Sequence, residues 1–519
     1  MTHEPRSIAA SALAGIRWNI VGGAVASLCS LTIGIVLARM LGPKPYGQVI
    51  LASTLYGFAQ LFVDGGFSQA LIQKAAVSEQ EVRRTFTVQI ACAVATTCLV
   101  SLCASWIARR VGDPSVAHVI QAMSWTIILQ SFGLVSAALL RRQMRFRILQ
   151  YAALGSYLCG YLFIGIPLAR AGAGVWSLVA ACLCQSLLNA ILLYAAVRHS
   201  VMPSIGLPER STSVFGGTII ASNLVNWGHA NLDNLAAAQL GPIALGLYGR
   251  ACNFAYQPVN AAVTALQSVL MSSTARAQQQ HERVRSLALS AMAIVFGILA
   301  CAYAVLALMP ETTIAGLFGD KWLAVIPLMV PLALAMPIYG VHCLLGPIVC
   351  GLGKPALEFW PQAISCCLAL AAFFAAARFS ILAVAWTLLG ITLIRFGLTA
   401  SFAFRLLHIS WSRVLPLLAK RAAFAAAFGG LAWTADQILR VPFHLAPGPR
   451  LLLVSLLCAT LLGVTIWSAG ELIFGRDALT FLRAYAQHLP PRYARQIRVQ
   501  MPPRPSHVAA QSSPTGVAG

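Results

Sequence analysis

Long apolar segments constrain this chain more than any other feature of its sequence. About 20 consecutive apolar residues are needed to cross the roughly 30 Å hydrocarbon core of a bilayer, and segments of this length recur between residues 17 and 474. Of the 519 residues, 59% are hydrophobic and only 10% are charged, whereas soluble domains carry about 25% charged residues. The sequence therefore predicts an all-α polytopic membrane protein.

Fourteen of these segments are predicted to be transmembrane helices. The longest connection between them, residues 198–213, is polar and contains two prolines, and no connection is large enough to form an extramembrane domain. The predicted spans are residues 17–39, 46–71, 86–108, 117–140, 149–169, 174–197, 214–240, 245–270, 286–309, 323–350, 358–377, 380–404, 414–435 and 450–474.

The net charge of +22 is distributed as in a membrane protein. Nucleic-acid binding is not expected, because the basic residues lie between the apolar spans instead of forming one patch. When the connections are sorted by parity, 25 of the 36 Lys and Arg residues fall on one side, 9 fall on the other, and Arg250 and Arg395 lie within spans. Because cytoplasmic connections carry the excess of Lys and Arg, both termini are predicted to be cytoplasmic.

The cysteines and short motifs indicate no metal or catalytic chemistry. Nearly all of the 14 cysteines lie inside apolar spans, and there is no CxxC pair. Neighbouring cysteines such as Cys182 and Cys184 lack the further His or Cys spacing of a metal site. No Walker lysine motif is present, so ATP hydrolysis is not expected. We therefore expect no metal, no cofactor and no enzymatic activity.

A short internal repeat divides the chain into two halves. The pattern Leu-Gly-Pro, with a further Gly four residues after the Pro, occurs at residues 41–47 and again at 240–246, so that every match lies 199 positions further along. Transporters are commonly built from such repeats, with the substrate site between the halves. The predicted units are an N-terminal six-helix half (1–197), a cytoplasmic linker (198–213), a C-terminal six-helix half (214–404), two extra transmembrane helices (405–474) and a basic, partly disordered cytoplasmic tail (475–519).

Four motifs along the chain carry a family resemblance. The run LARMLGP at residues 37–43, followed by Tyr46 and Gly47, resembles the first-helix signature of the polysaccharide transporter family. These Wzx-like oligosaccharide flippases belong to the multidrug/oligosaccharidyl-lipid/polysaccharide (MOP) exporter superfamily. The other three motifs, which resemble the end of the second helix, the start of the second half and the loop before helix ten, are DGGFSQALI at 64–72, NLDNL at 231–235 and LFGDKW at 317–322.

The resemblance implies a V-shaped MOP-type bundle of two six-helix repeats around a central cavity, with two further C-terminal helices. It implies a flippase of the bacterial inner membrane that translocates undecaprenyl-pyrophosphate-linked oligosaccharide repeat units for exopolysaccharide, O-antigen or capsule assembly. The partners that it implies are the lipid-linked oligosaccharide and membrane lipids, with the polymerase and chain-length proteins of the same pathway as further candidates.

Two alternative functions stay open. A multidrug or peptidoglycan-precursor flippase of the same superfamily would share the fold, although the number of predicted spans favours the polysaccharide and peptidoglycan branches over the drug exporters. A membrane polysaccharide polymerase is the alternative from another class. Such enzymes usually carry a large periplasmic loop, whereas the longest connection in this chain is short and lies on the predicted cytoplasmic side.

Positive charge at membrane depth is the first requirement for moving an anionic headgroup, and an ionisable residue within a span is a functional hypothesis by default. Arg250 is the leading candidate, because a guanidinium binds phosphate through two parallel hydrogen bonds. The alternative is an arginine whose head reaches the interface. Arg395 is a second candidate for the substrate site, and its alternative role is to pair with a carboxylate. The resemblance adds Arg17, which has an orientation anchor as its alternative role, whereas Arg39 is predicted to anchor a helix end.

A polar stripe is predicted in the seventh span. Several of its residues fall on one face of a helix, and a polar face in a span is expected to line a cavity instead of contacting lipid. Amides and a carboxylate there would bind sugar hydroxyls, and the alternative is hydrogen bonding between helices. The residues of the stripe are Asn223, Asn226, Asp233 and Asn234.

Two acids are candidates for binding a proton or Na⁺ that drives transport. They are Asp64 and Asp233, and the Gly65-Gly66 pair after Asp64 predicts a helix break at that point. His229 and His342 are predicted to be packing or hydrogen-bonding residues.

Reporter fusions test the predicted topology. A phosphatase fused after Gly241 should be active and one fused after Gly475 should be inactive, because the phosphatase folds only outside the cytoplasm and the charge bias places these sites on opposite sides. A green fluorescent protein at the same two positions should give the reverse pattern. Phosphatase activity at Gly475 would contradict the topology.

Overall fold

The computed structural model describes residues 5–74, 77–204, 210–354 and 356–474, and every regular element in these ranges is a helix. The N-terminal helices are α1 (Pro5–Leu41), α2 (Pro43–Asp64), α3 (Phe67–Gln73), α4 (Glu79–Val111), α5 (Ser115–Arg142), α6 (Phe146–Tyr157), a π-helix (Leu158–Gly165), α7 (Ile166–Arg170) and α8 (Val175–Val197). The remaining helices are α9 (Arg210–Ala238), α10 (Pro242–Arg276), α11 (His281–Leu308), α12 (Pro310–Phe318), a 3₁₀ helix (Asp320–Val325), α13 (Ile326–Gly351), α14 (Ala356–Ala376), α15 (Ile381–Leu407), α16 (Trp411–Arg440) and α17 (Pro447–Phe474).

The predicted all-α polytopic architecture is confirmed for the described part of the chain. Each predicted span overlaps a long helix or a run of consecutive helices, and eleven helices in the described ranges are long and apolar enough to cross a membrane. α9 and α10 are not among the eleven, since polar residues interrupt their apolar sequence. In α1, the part whose side chains the structure describes includes the apolar stretch Val25–Leu41. The number of fourteen spans therefore stays a prediction. The predicted tail, 475–519, lies outside the described residues.

The repeated Leu-Gly-Pro motif forms the same junction in both halves of the chain. Gly42 and Gly241 adopt positive φ angles of 87° and 93°, which a residue with a side chain rarely adopts. Pro43 and Pro242 then begin α2 and α10, where the missing N–H of proline is not needed by the helix. The repeat therefore encodes a sharp turn between two long helices, once before α2 and once before α10.

The two copies of the motif pack against each other where α2 crosses α10. A Cβ atom added to Gly47 would lie 1.7 Å from the carbonyl oxygen of Pro242, and one added to Gly246 would lie 2.0 Å from that of Pro43. Each glycine thus lets the other helix's backbone come closer than any side chain would permit. The contact is symmetric because it is made by equivalent residues of the two copies.

A second set of contacts next to this crossing joins the end of α1 to α12 and the 3₁₀ helix. Arg39 Nε donates a hydrogen bond to the carbonyl of Leu317 (2.7 Å), and its guanidinium also donates to the carbonyl of Gly316. In the other direction, Lys321 Nζ and Trp322 Nε1 donate to the carbonyls of Met40 and Ala38, both at 2.9 Å. We call the glycine crossing and these hydrogen bonds the inter-half contact.

The helices pack into groups on either side of the inter-half contact. In the N-terminal group, α5 packs against α4 and α8, and α6 and the π-helix lie on α8. In the C-terminal group, α13 packs against α10, α11 and α15, and α14 lies between α9 and α15. The predicted division into two six-helix halves stays a prediction. The predicted linker, 198–213, lies partly outside the described residues.

The last two helices are fixed to the C-terminal group by a buried polar cluster. α16 packs on α11 and α17 packs on α12. Asp436 of α16 accepts hydrogen bonds from the Thr312 hydroxyl at 3.0 and 3.1 Å and forms an ion pair with Arg450 of α17 at 3.8 Å. All three residues are buried, so removing one partner would leave an uncompensated polar group or charge.

Asp113 lies outside the spans, in the turn between α4 and α5, and it is the centre of a charged cluster that fixes this turn to the start of α2. Asp113 pairs with Lys44 at 2.9 Å, and Gln48 donates hydrogen bonds to Asp113 (3.1 Å) and to the Ser115 hydroxyl (2.8 Å). Burial disfavours the charged carboxylate, but hydrogen bonds from Ser115 and Lys44 outweigh this effect and lower the pKa of Asp113 to about 2. The cluster therefore keeps its charge over the physiological pH range.

The crossing of α2 and α10 yields a stability prediction. Gly47→Ala should destabilise the protein by about 1–3 kcal/mol, because the methyl group has no room beside the α10 backbone. Gly390→Ala is the matched control, since a Cβ at this α15 position would meet nothing within 4 Å. The measurement is thermal unfolding of the purified variants in one detergent. A Gly47→Ala protein as stable as Gly390→Ala would contradict the importance of the crossing.

Candidate functional site

A cavity of about 530 Å³ lies among α9, α10, α13 and α15, with Ser27 of α1 on its wall. We call it the C-terminal cavity. The helices that form it run through the apolar part of the structure, yet its wall is largely polar. The amide and charged residues that line it are Asn226, Asp233, Asn253, Gln257, Asn260 and Arg395.

The polar stripe of α9 contributes one face of this cavity. Asn226, His229 and Asp233 follow one another at spacings of three and four residues, so they lie on the same side of the helix. Asn223 and Asn234, which were predicted to share that face, do not line the cavity. Asn234 is turned toward α10, where its side-chain oxygen would lie 3.5 Å from a Cβ added to Gly249.

Asp233 is a buried carboxylate that is held by hydrogen bonds to neutral groups. One oxygen accepts from the Tyr248 hydroxyl at 3.0 Å, and the other accepts from the backbone N–H of Asn234 at 2.8 Å. Among the described residues, no Lys or Arg forms an ion pair with it. A carboxylate with this environment can take up a proton or a small cation, because no fixed positive charge compensates its own.

Arg395 of α15 is the arginine that lines the C-terminal cavity. Its side chain is half-buried, its Nε atom has no hydrogen-bond partner, and no carboxylate in the described ranges forms an ion pair with it. A guanidinium that keeps its donors unused in a polar cavity is suited to bind an anion such as a phosphate. The prediction that Arg395 lies at a cavity agrees with this position.

The two histidines of the cavity differ in their contacts. His229 Nε2 lies 3.0 Å from the carbonyl oxygen of Gln362 and 3.1 Å from the Ser365 hydroxyl, so it joins α9 to α14 by hydrogen bonds, as predicted. His342 is buried on α13, and its Nδ1 atom has no partner in the described structure. Both residues also line the cavity, which the sequence did not indicate.

Arg250 does not line the cavity but lies behind the inter-half contact. Its guanidinium carbon lies 5.4 Å from the ring centre of Tyr46 and 4.9 Å from that of Phe318, so the charge rests on two aromatic faces. A Cβ added to Gly34 would lie only 2.9 Å from one of its nitrogens. Arg250 thus connects α10 with α1, α2 and α12. Arg17 falls in α1, but its side chain lies outside the described part of the structure.

Asp64 lies at a break in the second predicted span, and the predicted break is confirmed. α2 ends at Asp64, and Gly65 and Gly66 adopt positive φ angles of 51° and 78° before α3 begins. The Asp64 carboxylate accepts hydrogen bonds from the Ser68 hydroxyl and, at 3.2 Å, from the Gln89 amide. It lines neither of the two cavities described in this structure, so it is separate from Asp233.

The polar face of α10 was missed by the sequence analysis. Asn253, Gln257 and Asn260 line the cavity together with Tyr256. Their spacing of about one helical turn places them on a single face, and this pattern is visible inside the predicted span 245–270.

A family model described as "Polysaccharide biosynthesis protein" matches residues 36–327 of the chain. The succinoglycan biosynthesis transport protein ExoT of Rhizobium meliloti (strain 1021) is 27% identical over 331 residues, which cover 63% of this chain and 66% of that protein. The alignment thus covers just under two thirds of that relative. The teichuronic acid biosynthesis protein TuaB of Bacillus subtilis (strain 168) is 22% identical over 444 residues, covering 82% of this chain and 89% of the relative.

Another relative is the lipopolysaccharide biosynthesis protein WzxC of Escherichia coli (strain K12), which is 21% identical and covers 62% of this chain and 66% of its own length. Among solved structures, the lipid II flippase MurJ in an inward closed conformation has a TM-score of 0.70 with 10% sequence identity, covering 87% of this chain and 99% of that chain. An inward-facing multidrug transporter of the MOP superfamily has a TM-score of 0.55 with 14% identity, covering 76% and 98%. The predicted superfamily fold is therefore confirmed.

Proposed function

The chain belongs to the polysaccharide biosynthesis protein family, and from this membership we propose that it is a flippase for undecaprenyl-pyrophosphate-linked oligosaccharide repeat units. The translocated units would serve exopolysaccharide, O-antigen or capsule assembly at the bacterial inner membrane. The polymerase and chain-length proteins of that pathway are its further proposed partners. The protein itself is a multi-pass integral membrane protein.

The observation that carries this proposal is Arg395, which has no carboxylate partner among the described residues and lies in a polar cavity at membrane depth. The pyrophosphate of the substrate is anionic, so it must be met by positive charge where water is scarce. Amide side chains surround Arg395, and an amide offers both a donor and an acceptor to sugar hydroxyls. A cavity for an apolar drug would need little of this polarity.

Three relatives named for succinoglycan, teichuronic acid and lipopolysaccharide biosynthesis support a saccharide substrate. The alternative is a peptidoglycan-precursor or multidrug flippase, which the likeness to the lipid II flippase and to a multidrug transporter in fold would also accommodate. Fold alone does not select a substrate. The family model and these relatives therefore favour the polysaccharide pathway.

The position of the inter-half contact indicates the side of the membrane from which the proposed transport cycle begins. The charge bias assigns the ends of α1 and α9 to the periplasmic side, and the inter-half contact includes the end of α1 and the start of α10. With this side closed, the substrate would load from the cytoplasm. Separation of α2 from α10 would then open the cavity toward the periplasm, as alternating access requires.

Asp233 is proposed as the residue that binds the coupling proton or Na⁺. It lines the same cavity as Arg395, whereas Asp64 lines neither cavity and is satisfied by Ser68 and Gln89. A cation on Asp233 would change the charge of the cavity that binds the substrate. Binding of the ion and binding of the phosphate would therefore influence each other.

The first test replaces the cavity arginine. Arg395→Gln should weaken binding of undecaprenyl pyrophosphate by about 10- to 100-fold, since a charge-assisted hydrogen bond contributes roughly 1.5–3 kcal/mol. Arg395→Lys should restore only part of the affinity, because ammonium keeps the charge but lacks the planar fork. The measurements are the affinity of the purified protein and polysaccharide export per molecule of inserted protein in a deletion strain.

Two matched arginines control this test. Arg378→Gln, at an exposed position between α14 and α15, should behave as the wild type. Arg250→Gln removes a cation that does not line the cavity, so it should leave the affinity for undecaprenyl pyrophosphate unchanged. It should lower export, because the packing behind the inter-half contact is lost. If Arg250→Gln lost affinity and Arg395→Gln kept it, the pyrophosphate site would have to be moved to Arg250.

The second test concerns the coupling ion. Purified protein in liposomes should translocate lipid-linked oligosaccharide faster under an imposed proton or Na⁺ gradient. Asp233→Asn should lose this acceleration, because the amide cannot bind a proton or compensate a cation. It keeps the shape of the side chain and one acceptor oxygen for the N–H of Asn234, and its NH₂ group can donate to the Tyr248 oxygen instead of accepting from it. Asp64→Asn should keep the acceleration. A gradient response that survives in Asp233→Asn and disappears in Asp64→Asn would reverse the assignment.

A further inference from the structure

The N-terminal helices enclose a second cavity, which none of the predicted site residues lines. Its volume is about 640 Å³, within the range of about 300–1,000 Å³ that small-molecule sites occupy. It lies among α2, α5, α6, the π-helix and α8, and we call it the N-terminal cavity. The inference below rests on the proposed function, but it concerns a different site.

Carboxamides dominate the polar wall of this cavity. Four of them line it, and the Gln130 amide donates a hydrogen bond of 3.4 Å to the Ser186 hydroxyl. Gln185 and Asn189 lie one turn apart on α8, and neither side chain has a hydrogen-bond partner among the described residues. Half-buried amides without partners retain both donors and acceptors for a ligand. The four carboxamide residues are Gln130, Gln150, Gln185 and Asn189.

The charge of the N-terminal cavity contrasts with that of the C-terminal cavity. Among its described lining residues there is no acid, and the basic residue is Arg141, at the last turn of α5. The C-terminal cavity, by comparison, contains Arg395, Asp233 and two histidines. One cavity is therefore equipped for charged groups, and the other is equipped for a neutral group rich in hydroxyls.

A π-helix that packs on α8 builds the wall next to the amides. Gly160 lets this helix pack closely on α8, since a Cβ at this position would lie 2.5 Å from the carbonyl oxygen of Ala181. Tyr161, the next residue, lines the cavity, and Tyr56 of α2 does so from another side. π-helical turns are uncommon and are often found at functional sites. Aromatic faces suit the apolar C–H surface of a sugar ring, while amides suit its hydroxyls.

We propose that the N-terminal cavity binds the uncharged sugar units of the transported molecule, through Gln185 and Asn189, while the C-terminal cavity binds its pyrophosphate. The sugar part and the pyrophosphate of one substrate would thereby engage the two halves of the protein. Recognition of the sugar would be a property of α8 and the π-helix. The lipid-linked phosphate, which is common to many such substrates, would be recognised by α9, α10 and α15.

The test uses a pair of substitutions and a matched pair on the same helix. Gln185→Met with Asn189→Leu removes both amides at nearly constant volume. Leu187→Ala with Ile191→Ala has the same spacing but alters side chains that are 45% and 51% exposed on the outer face of α8. The first probe is the repeat oligosaccharide released by mild acid from the lipid-linked pool of the producing cells and labelled with an uncharged fluorophore. The second probe is undecaprenyl pyrophosphate.

The amide pair should weaken binding of the labelled oligosaccharide by at least about tenfold, since two hydrogen bonds are lost, and should change binding of undecaprenyl pyrophosphate less than twofold. The outer-face pair should bind both probes as the wild type does. Equal oligosaccharide binding by the wild type and the amide pair, or no binding by the wild type, would overturn the inference. If the amide pair fails to insert, the single variant Gln185→Met is compared with the wild type for binding of the same two probes.

Failure of this inference can be told apart from failure of the proposed function. If the chain is not the flippase, deletion of its gene leaves surface polysaccharide unchanged. If only the sugar site is wrong, the deletion abolishes surface polysaccharide, and the amide pair restores it as fully as the outer-face pair does.

Discussion

The structure depends on one close contact between backbones, the crossing of α2 and α10 at Gly47 and Gly246. Each glycine faces the carbonyl oxygen of the proline that begins the other helix. Without side chains at these positions, the helices approach closely enough for Arg39, Lys321 and Trp322 to reach main-chain acceptors across the interface. Helix association in lipid relies on such close packing, because water supplies no hydrophobic drive there. The crossing thus fixes the position of the C-terminal cavity relative to α1 and α2.

The two cavities give the proposed substrate two chemically different binding regions. Arg395 and Asp233 supply opposite charges to one cavity, and the amides of α8 supply neutral hydrogen-bonding groups to the other. A lipid-linked oligosaccharide has the same division between a charged linkage and neutral rings. Such a division would let related proteins change the sugar they recognise by altering α8, with the phosphate region left intact.

Sequence reasoning predicted the fold better than the site. Span positions follow from local apolar length, and the repeated motif identified the residues of the crossing. The cavity residues Asp233 and Arg395 were also predicted. Arg250 and Asn234 were assigned to the site as well, but they face neighbouring helices, because which side of a helix meets a cavity is set by packing that no local pattern encodes. Gln185 and Asn189 were overlooked because isolated amides in an apolar span resemble packing residues.

The hydrogen bonds of the inter-half contact constrain the sequence on the donor side only. The donors are side chains, namely those of Arg39, Lys321 and Trp322, whereas every acceptor is a main-chain carbonyl. A carbonyl is present whatever residue carries it, so the identities of Met40 and Leu317 are not dictated by these bonds. Over evolutionary time the donor positions should therefore resist substitution while those two acceptor positions vary, and the inter-half contact would retain its geometry as the surrounding sequence diverges.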